Sequence, residues 1–128
     1  DDPYNRATYP WADQGGKPDA DMLATFKQLI GLRKQHAVLR RGTIDAPLHL
    51  DDHSIVLLRR LGNEVVITAT NNSTTAQTVT LSLPPDVNVF RYTNLLNGQR
   101  SYIVPDGNGP FSITIPPLFG VVLLGSKL

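Results

Sequence analysis

The sequence predicts a mainly β protein: an antiparallel β-sandwich of Greek-key type, preceded by a loop and one α-helix. Three observations carry that reading. From Gly42 onward, apolar residues recur at every second position, which is the period of a strand with one buried face. Clusters of turn-forming residues interrupt that pattern at short intervals, as between the strands of a sandwich. Before Gly42, one segment repeats its apolar residues at spacings of three and four, which is the period of a helix.

Residues 1–19 carry Pro3, Pro10, Pro18, Gly15 and Gly16 and show no apolar period, so they read as loop. A loop of that length inside a compact domain is uncommon and is more often functional. Its opening, DDPYNRATYPW, packs two adjacent carboxylates, one guanidinium and three aromatics into eleven residues. That is the composition of a binding-site rim.

Residues 20–39 read as the helix. Leu23, Phe26, Leu29 or Ile30, and Ala37 form its apolar stripe. Asp19 or Asp21 can cap its start, where free N–H groups favour a carboxylate. Arg33, Lys34, His36, Arg40 and Arg41 lie near its end, where cations are favoured. Gly42 is expected to turn the chain away through the left-handed region. A single helix cannot bury its own stripe. Leu23, Phe26 and Ile30 are therefore expected to pack on the sandwich of this chain or on a second copy.

The strands follow as SIVLLRR, EVVITATN, TVTLSL, VNVFRYTN, RSYIV, FSITI and FGVVLLG. In TVTLSL, Val79, Leu81 and Leu83 share one face, with Thr78, Thr80 and Ser82 on the other. In FSITI, Phe111, Ile113 and Ile115 do the same. Turn signals separate the runs: Leu61-Gly62-Asn63, Asn71-Asn72-Ser73, Pro84-Pro85, Asn97-Gly98, Asp106-Gly107-Asn108-Gly109 and Pro116-Pro117. Asn97-Gly98 predicts a hairpin between Arg91–Leu95 and Gln99–Val104.

A chain of 128 residues fits one domain, or one domain with an appendage. The formal net charge of +1 gives no reason to expect nucleic acid as a partner. The absence of cysteine excludes disulfides and thiolate metal sites. His36, His49 and His53 have no metal-ligand spacing, so neither a metal nor a cofactor is expected. No run approaches the ~20 apolar residues of a membrane helix, so no membrane partner is expected. No targeting peptide is visible. The compartment stays open, with a slight lean to the cytoplasm. A start at Asp1 instead of Met is what a processed chain, or a piece of a longer one, would show.

The first 42 residues carry a resemblance. DDPYNRATYPW, then LATFKQLIGLRKQHAVLRRG, then a β-domain, resembles the C-terminal end of the α-amylase family of glycoside hydrolases. Within it, the neopullulanase, cyclomaltodextrinase and maltogenic amylase group is nearest in character. There a motif of the form Asp-Pro-x-x-Arg-x-x-x-Pro-Trp follows the eighth strand of a (β/α)8 barrel. Here it stands as Asp2-Pro3-Tyr4-Asn5-Arg6 and Tyr9-Pro10-Trp11, one residue shorter than in some members. Ile30, Leu32-Arg33-Lys34, His36, Leu39-Arg40 and Gly42 resemble the barrel's eighth helix. The resemblance implies that residues 1–41 are the end of the catalytic barrel and that residues 42–128 are the family's domain C.

It also implies a division of labour. Retaining glycoside hydrolysis needs two carboxyl groups about 5–5.5 Å apart. The family draws them from barrel strands that would precede residue 1, so no catalytic residue is expected here. Asp1-Asp2 has no scaffold to hold its carboxylates across a sugar. Asp51-Asp52-His53 reads as a polar turn between strands. The resemblance assigns Asp2 and Arg6 to binding of a glucose unit, where guanidinium donors and carboxylate acceptors can share its hydroxyls. Tyr4, Tyr9 and Trp11 are possible stacking partners, although Pro10-Trp11 can equally anchor the loop. The expected role is a non-catalytic, structural fragment of an enzyme cleaving α-glucosidic bonds in starch, pullulan or cyclodextrins. Its partner is the α-glucan held by the parent barrel, and a homodimer is possible. The alternatives are a stand-alone carbohydrate-binding module and a plain interaction domain.

Overall fold

The computed structural model describes residues 8–96 and 100–126. The chain divides into two compact units at Gly31–Leu32.

In the first unit, an irregular segment with a 3-10 turn at Ala12–Gln14 leads into α1, Ala20–Gln35, whose last turn from Leu32 belongs to the second unit. Asp19 is the cap: its Oδ1 accepts the Met22 N–H at 2.8 Å, satisfying one of the helix's free donors. No residue of α1 is buried. Within its own unit the stripe has no cover: Leu23, Phe26 and Ile30 are 40%, 57% and 50% exposed.

The helix does not run on to residue 39. It stops at Gln35, and a short second helix, α2, spans Val38–Arg41. Gly42 corrects a second expectation. Its φ of −65° and ψ of 156° are extended, not left-handed. Glycine is needed there for space: a Cβ would lie 2.4 Å from the Val38 carbonyl oxygen.

The second unit holds two antiparallel sheets. Its strands are β1 His49–Leu50, β2 Ser54–Leu61, β3 Glu64–Asn71 and β4 Gln77–Leu81, then β5 Arg91–Asn94, β6 Ser101–Ile103, β7 Phe111–Ile115 and β8 Gly120–Ser126. One sheet has the order β1-β2-β3-β8-β5-β6, and the other is β4-β7. β8 returns from late in the sequence to lie between β3 and β5, so the sheet is not a simple meander. The β2–β3 hairpin turns at Gly62, whose φ of 57° is costly for any residue with a Cβ. β5 pairs with β6, as expected, and the register is Tyr92↔Tyr102, while Asn97 and Gly98 lie outside the described residues.

The core lies between the sheets. Val56 and Leu58 of β2, Ile67 and Ala69 of β3, and Leu123 of β8 face Val79 and Leu81 of β4 and Ile113 and Ile115 of β7. Tyr92 stacks on Phe111 with ring centroids 5.6 Å apart and planes 6° from parallel. Burial pushes the Tyr92 phenol's pKa up. On the outer side of the small sheet, Thr80 and Ser112 hydrogen-bond at 2.9 Å, the polar half of the alternation. β3 differs, because Val65 and Val66 are both buried. Its second face is covered too, where Val66, Val122 and Leu124 meet Leu32, Val38 and Leu39. A strand covered on both sides loses its alternation.

Two local expectations are revised. Residues 87–90 are not strand, although Val87 and Val89 are buried. The Val87 N–H is taken by the Pro84 carbonyl in a turn and the Val89 N–H by the Gly107 carbonyl, so neither joins a strand ladder. β1 was not anticipated, because two residues are too few to display a period.

Candidate functional site

The opening loop is the first candidate. Asp2, Tyr4 and Arg6 lie outside the described residues. Trp11 is described and is 57% exposed. Its ring meets Tyr9 edge-on, with centroids 4.7 Å apart and an interplanar angle of 61°, a preferred aromatic geometry. The backbone fixes the pair: Trp11 N–H donates to the Tyr9 carbonyl at 2.9 Å, and the Trp11 carbonyl accepts the Gly16 N–H at 2.9 Å. Beside it, Tyr9, Pro10, Lys17, Asp19, Leu23 and Phe26 line a groove of about 400 Å³. The arrangement offers apolar ring surface and one ammonium group. It offers no pair of opposed carboxyls: one oxygen of Asp19 is engaged in capping α1.

Asp51-Asp52-His53 is the second candidate, and its geometry is that of a turn. Asp51 Oδ1 accepts the His53 N–H at 2.8 Å and the Ser54 N–H at 2.7 Å. Its Oδ2 lies 2.8 Å from His49 Nε2. The His53 N–H first, then His49 and the Ser54 N–H, hold the Asp51 carboxyl well below the usual carboxylate range. Both oxygens are thus occupied in closing the β1–β2 connection. Among the described residues, no cluster of His, Asp or Glu could hold a metal.

A third feature went unread in the sequence. Asn94, Leu96, Arg100, Tyr102, Thr114 and Phe119 help line a groove of about 350 Å³ on the sandwich. The Arg100 guanidinium lies 5.4 Å from the Tyr102 ring centroid. Tyr102 itself is buried, and only Phe119 presents a ring there. A sugar platform of two or three exposed aromatics on one face is not formed by these residues. Arg100 and Tyr102 at alternate positions were the available hint, but the groove is assembled from separate strands.

No protein-family model matches the chain. A cyclomaltodextrinase of Geobacillus thermopakistaniensis (strain MAS1) is 33% identical over 124 residues, which is 95% of this chain and 20% of that protein. The chain therefore spans a fifth of its relative's length. Among solved structures, an Anoxybacillus α-amylase matches 100% of this chain with 26% of its own, at a TM-score of 0.79 and 23% identity. An α-amylase of Geobacillus thermoleovorans, solved with acarbose, matches 87% of this chain with 24% of its own, at a TM-score of 0.74 and 24% identity. The likeness in sequence spans nearly the whole chain, and the fold follows it.

Proposed function

We infer, from a chain related by sequence and by fold to the α-amylase family of glycoside hydrolases, that it is the non-catalytic C-terminal part of an α-glucan-hydrolysing enzyme. The parent cleaves α-glucosidic bonds in starch, pullulan or cyclodextrins. Residues 1–41 are the loop after the barrel's eighth strand and its eighth helix, and residues 42–128 are domain C.

The observation that carries this reading is the uncovered apolar side of the first unit. Tyr9, Trp11, Met22, Leu23, Phe26, Leu29 and Ile30 are all exposed. A concentration of that kind marks a surface that packs against something else. The missing four-fifths of a cyclomaltodextrinase-sized protein is the natural partner. A homodimer through the same face is a second possible cover.

In that setting the nucleophile and the acid/base belong to the barrel, and this chain supplies contacts. Asp2 and Arg6 hold a glucose unit, the carboxylate accepting from sugar hydroxyls and the guanidinium donating to them. Tyr4 and Trp11 can stack on sugar faces, and the Tyr9 contact pre-orients Trp11 for either stacking or anchoring. The β-domain has a structural role.

Substitution in the full-length enzyme tests the assignment. Arg6→Ala and Asp2→Ala each remove a charge-assisted hydrogen bond, so kcat/KM on a maltooligosaccharide should fall roughly 10–100-fold. Unchanged kcat/KM in both variants contradicts the substrate role. The alternative, a stand-alone carbohydrate-binding module, predicts that the isolated chain is retained on granular starch; our reading predicts that it washes through.

A further inference from the structure

We propose that the segment from Leu32 to Gly42 is a clamp that seats the end of α1 on the six-stranded sheet, with Glu64 and Arg59 as positioning residues at its two ends. The motif that drew attention in the sequence is thus a fastening device.

Its floor is apolar. Leu32, Val38 and Leu39 pack with Leu61, Val66, Val122 and Leu124 on the sheet face turned away from the main core. Its walls are polar and come from neighbouring strands. α1 breaks after Gln35, and a break leaves backbone groups without helical partners. Glu64, the first residue of β3, serves one such backbone group with one carboxylate oxygen and the neighbouring His36 ring with the other. Oε2 accepts the Val38 N–H at 3.3 Å, and Oε1 lies 3.0 Å from His36 Nδ1.

Arg59 of β2 serves the other end. It donates to the Leu39 carbonyl at 2.9 Å and to the Gly42 carbonyl at 3.0 Å. Arg33 reaches the Leu39 carbonyl as well. Arg40 folds back onto the Arg33 and Lys34 carbonyls, the last turn of α1. An anion thus stands where α2 begins and a cation where it ends, the signs each end favours. A four-residue helix has no stability of its own. Its form is imposed by the strands beneath it. Gly42 completes the seat by letting the backbone pass against the Val38 carbonyl.

Arg33, His36, Leu39, Arg40 and Gly42, which carry the sequence resemblance, each take part in the clamp. This gives the β-domain a defined task, namely to fix the last turn of α1 and the chain that leaves it.

Amide hydrogen exchange on the whole 128-residue chain tests the proposal. In Glu64→Ala, the Val38 amide should exchange about tenfold faster or more, since its acceptor is gone. Glu64→Gln keeps an acceptor oxygen and should recover most of the protection. Amides of β4 and β7 report the main core and should keep their rates. An unchanged Val38 rate in Glu64→Ala overturns the clamp, as does an increase shared equally by β4 and β7. Arg59→Met is the second variant, with faster exchange expected at Leu39 and Arg40 and no change there counting against the proposal. No glucan or activity enters the experiment, so failure of the clamp and failure of the α-glucan assignment are separate results.

Discussion

Residues 8–31 bury no side chain, whereas residues 32–126 contain every member of both apolar clusters. Yet both regions show regular apolar periods in the sequence. A period tells which side of an element is apolar, and says nothing of where its partner lies. In the sandwich the partner is another strand of the same unit. For the stripe of α1 it is absent from the helix's own unit, so the same kind of pattern gives burial in one place and exposure in the other.

The sharpest way to break that contrast is to truncate one residue in each region. Ile113 is fully buried between the sheets. Ile113→Ala should cost about 2–5 kcal/mol, through lost transfer energy and the cavity left behind. Phe26→Ala should stay within about 0.5 kcal/mol, as exposed substitutions usually do. Urea midpoints of the two variants decide the matter. Comparable losses would mean that α1 finds a packing partner in solution.

Gly42→Ala comes next. The added methyl would meet the Val38 carbonyl oxygen at 2.4 Å, and forced shifts of this kind cost about 1–3 kcal/mol. Thermal unfolding should show a lower midpoint. An unaltered midpoint would mean that the junction relaxes without loss.

Asp19→Ala has a smaller and more local effect. The cap contributes about 0.5–2 kcal/mol to its helix. Far-UV circular dichroism should lose helical signal while the sandwich keeps its urea midpoint, which sharpens the independence of the two regions. A joint loss would tie them together.

The smallest effect is a pH effect at the β1–β2 turn. The Asp51 carboxyl titrates below its ordinary value because the His53 N–H, His49 and the Ser54 N–H hold the charged form. Its contribution is therefore complete above the unfolded value, about 4, and is lost as pH falls through the lower folded value. The Asp51 carboxyl carbon shift should show its own protonation step only below pH about 4. An Asp51 protonation step centred above about 4 would contradict the hydrogen-bonded turn.

Much of the fold was legible because strands advertise themselves locally. TVTLSL and FSITI alternate cleanly, and they pair as β4 and β7 with Val79 opposite Ile113. What escaped was set by contacts distant in sequence. The break after Gln35 is filled by Glu64, 28 residues beyond His36, and no helix signal announces that. Gly42 looked like a helix stop, and its location is near one, but the reason is crowding by Val38 and not a left-handed turn. The two residues of β1 have no period to read. The candidate site was legible in a different sense. Asp2 and Arg6 came from resemblance alone, because hydroxyl recognition needs only a carboxylate and a guanidinium, which any loop can hold. The sandwich groove at Arg100, Tyr102 and Phe119 was invisible because no single stretch contains it.

The most direct measurement is of reducing ends released from a maltooligosaccharide by the purified chain and, in parallel, by the full-length protein that contains it. The account predicts no release by the chain at any enzyme concentration and steady release by the full-length protein. Hydrolysis by the chain alone, or none by the full-length protein on any α-glucan, would contradict it.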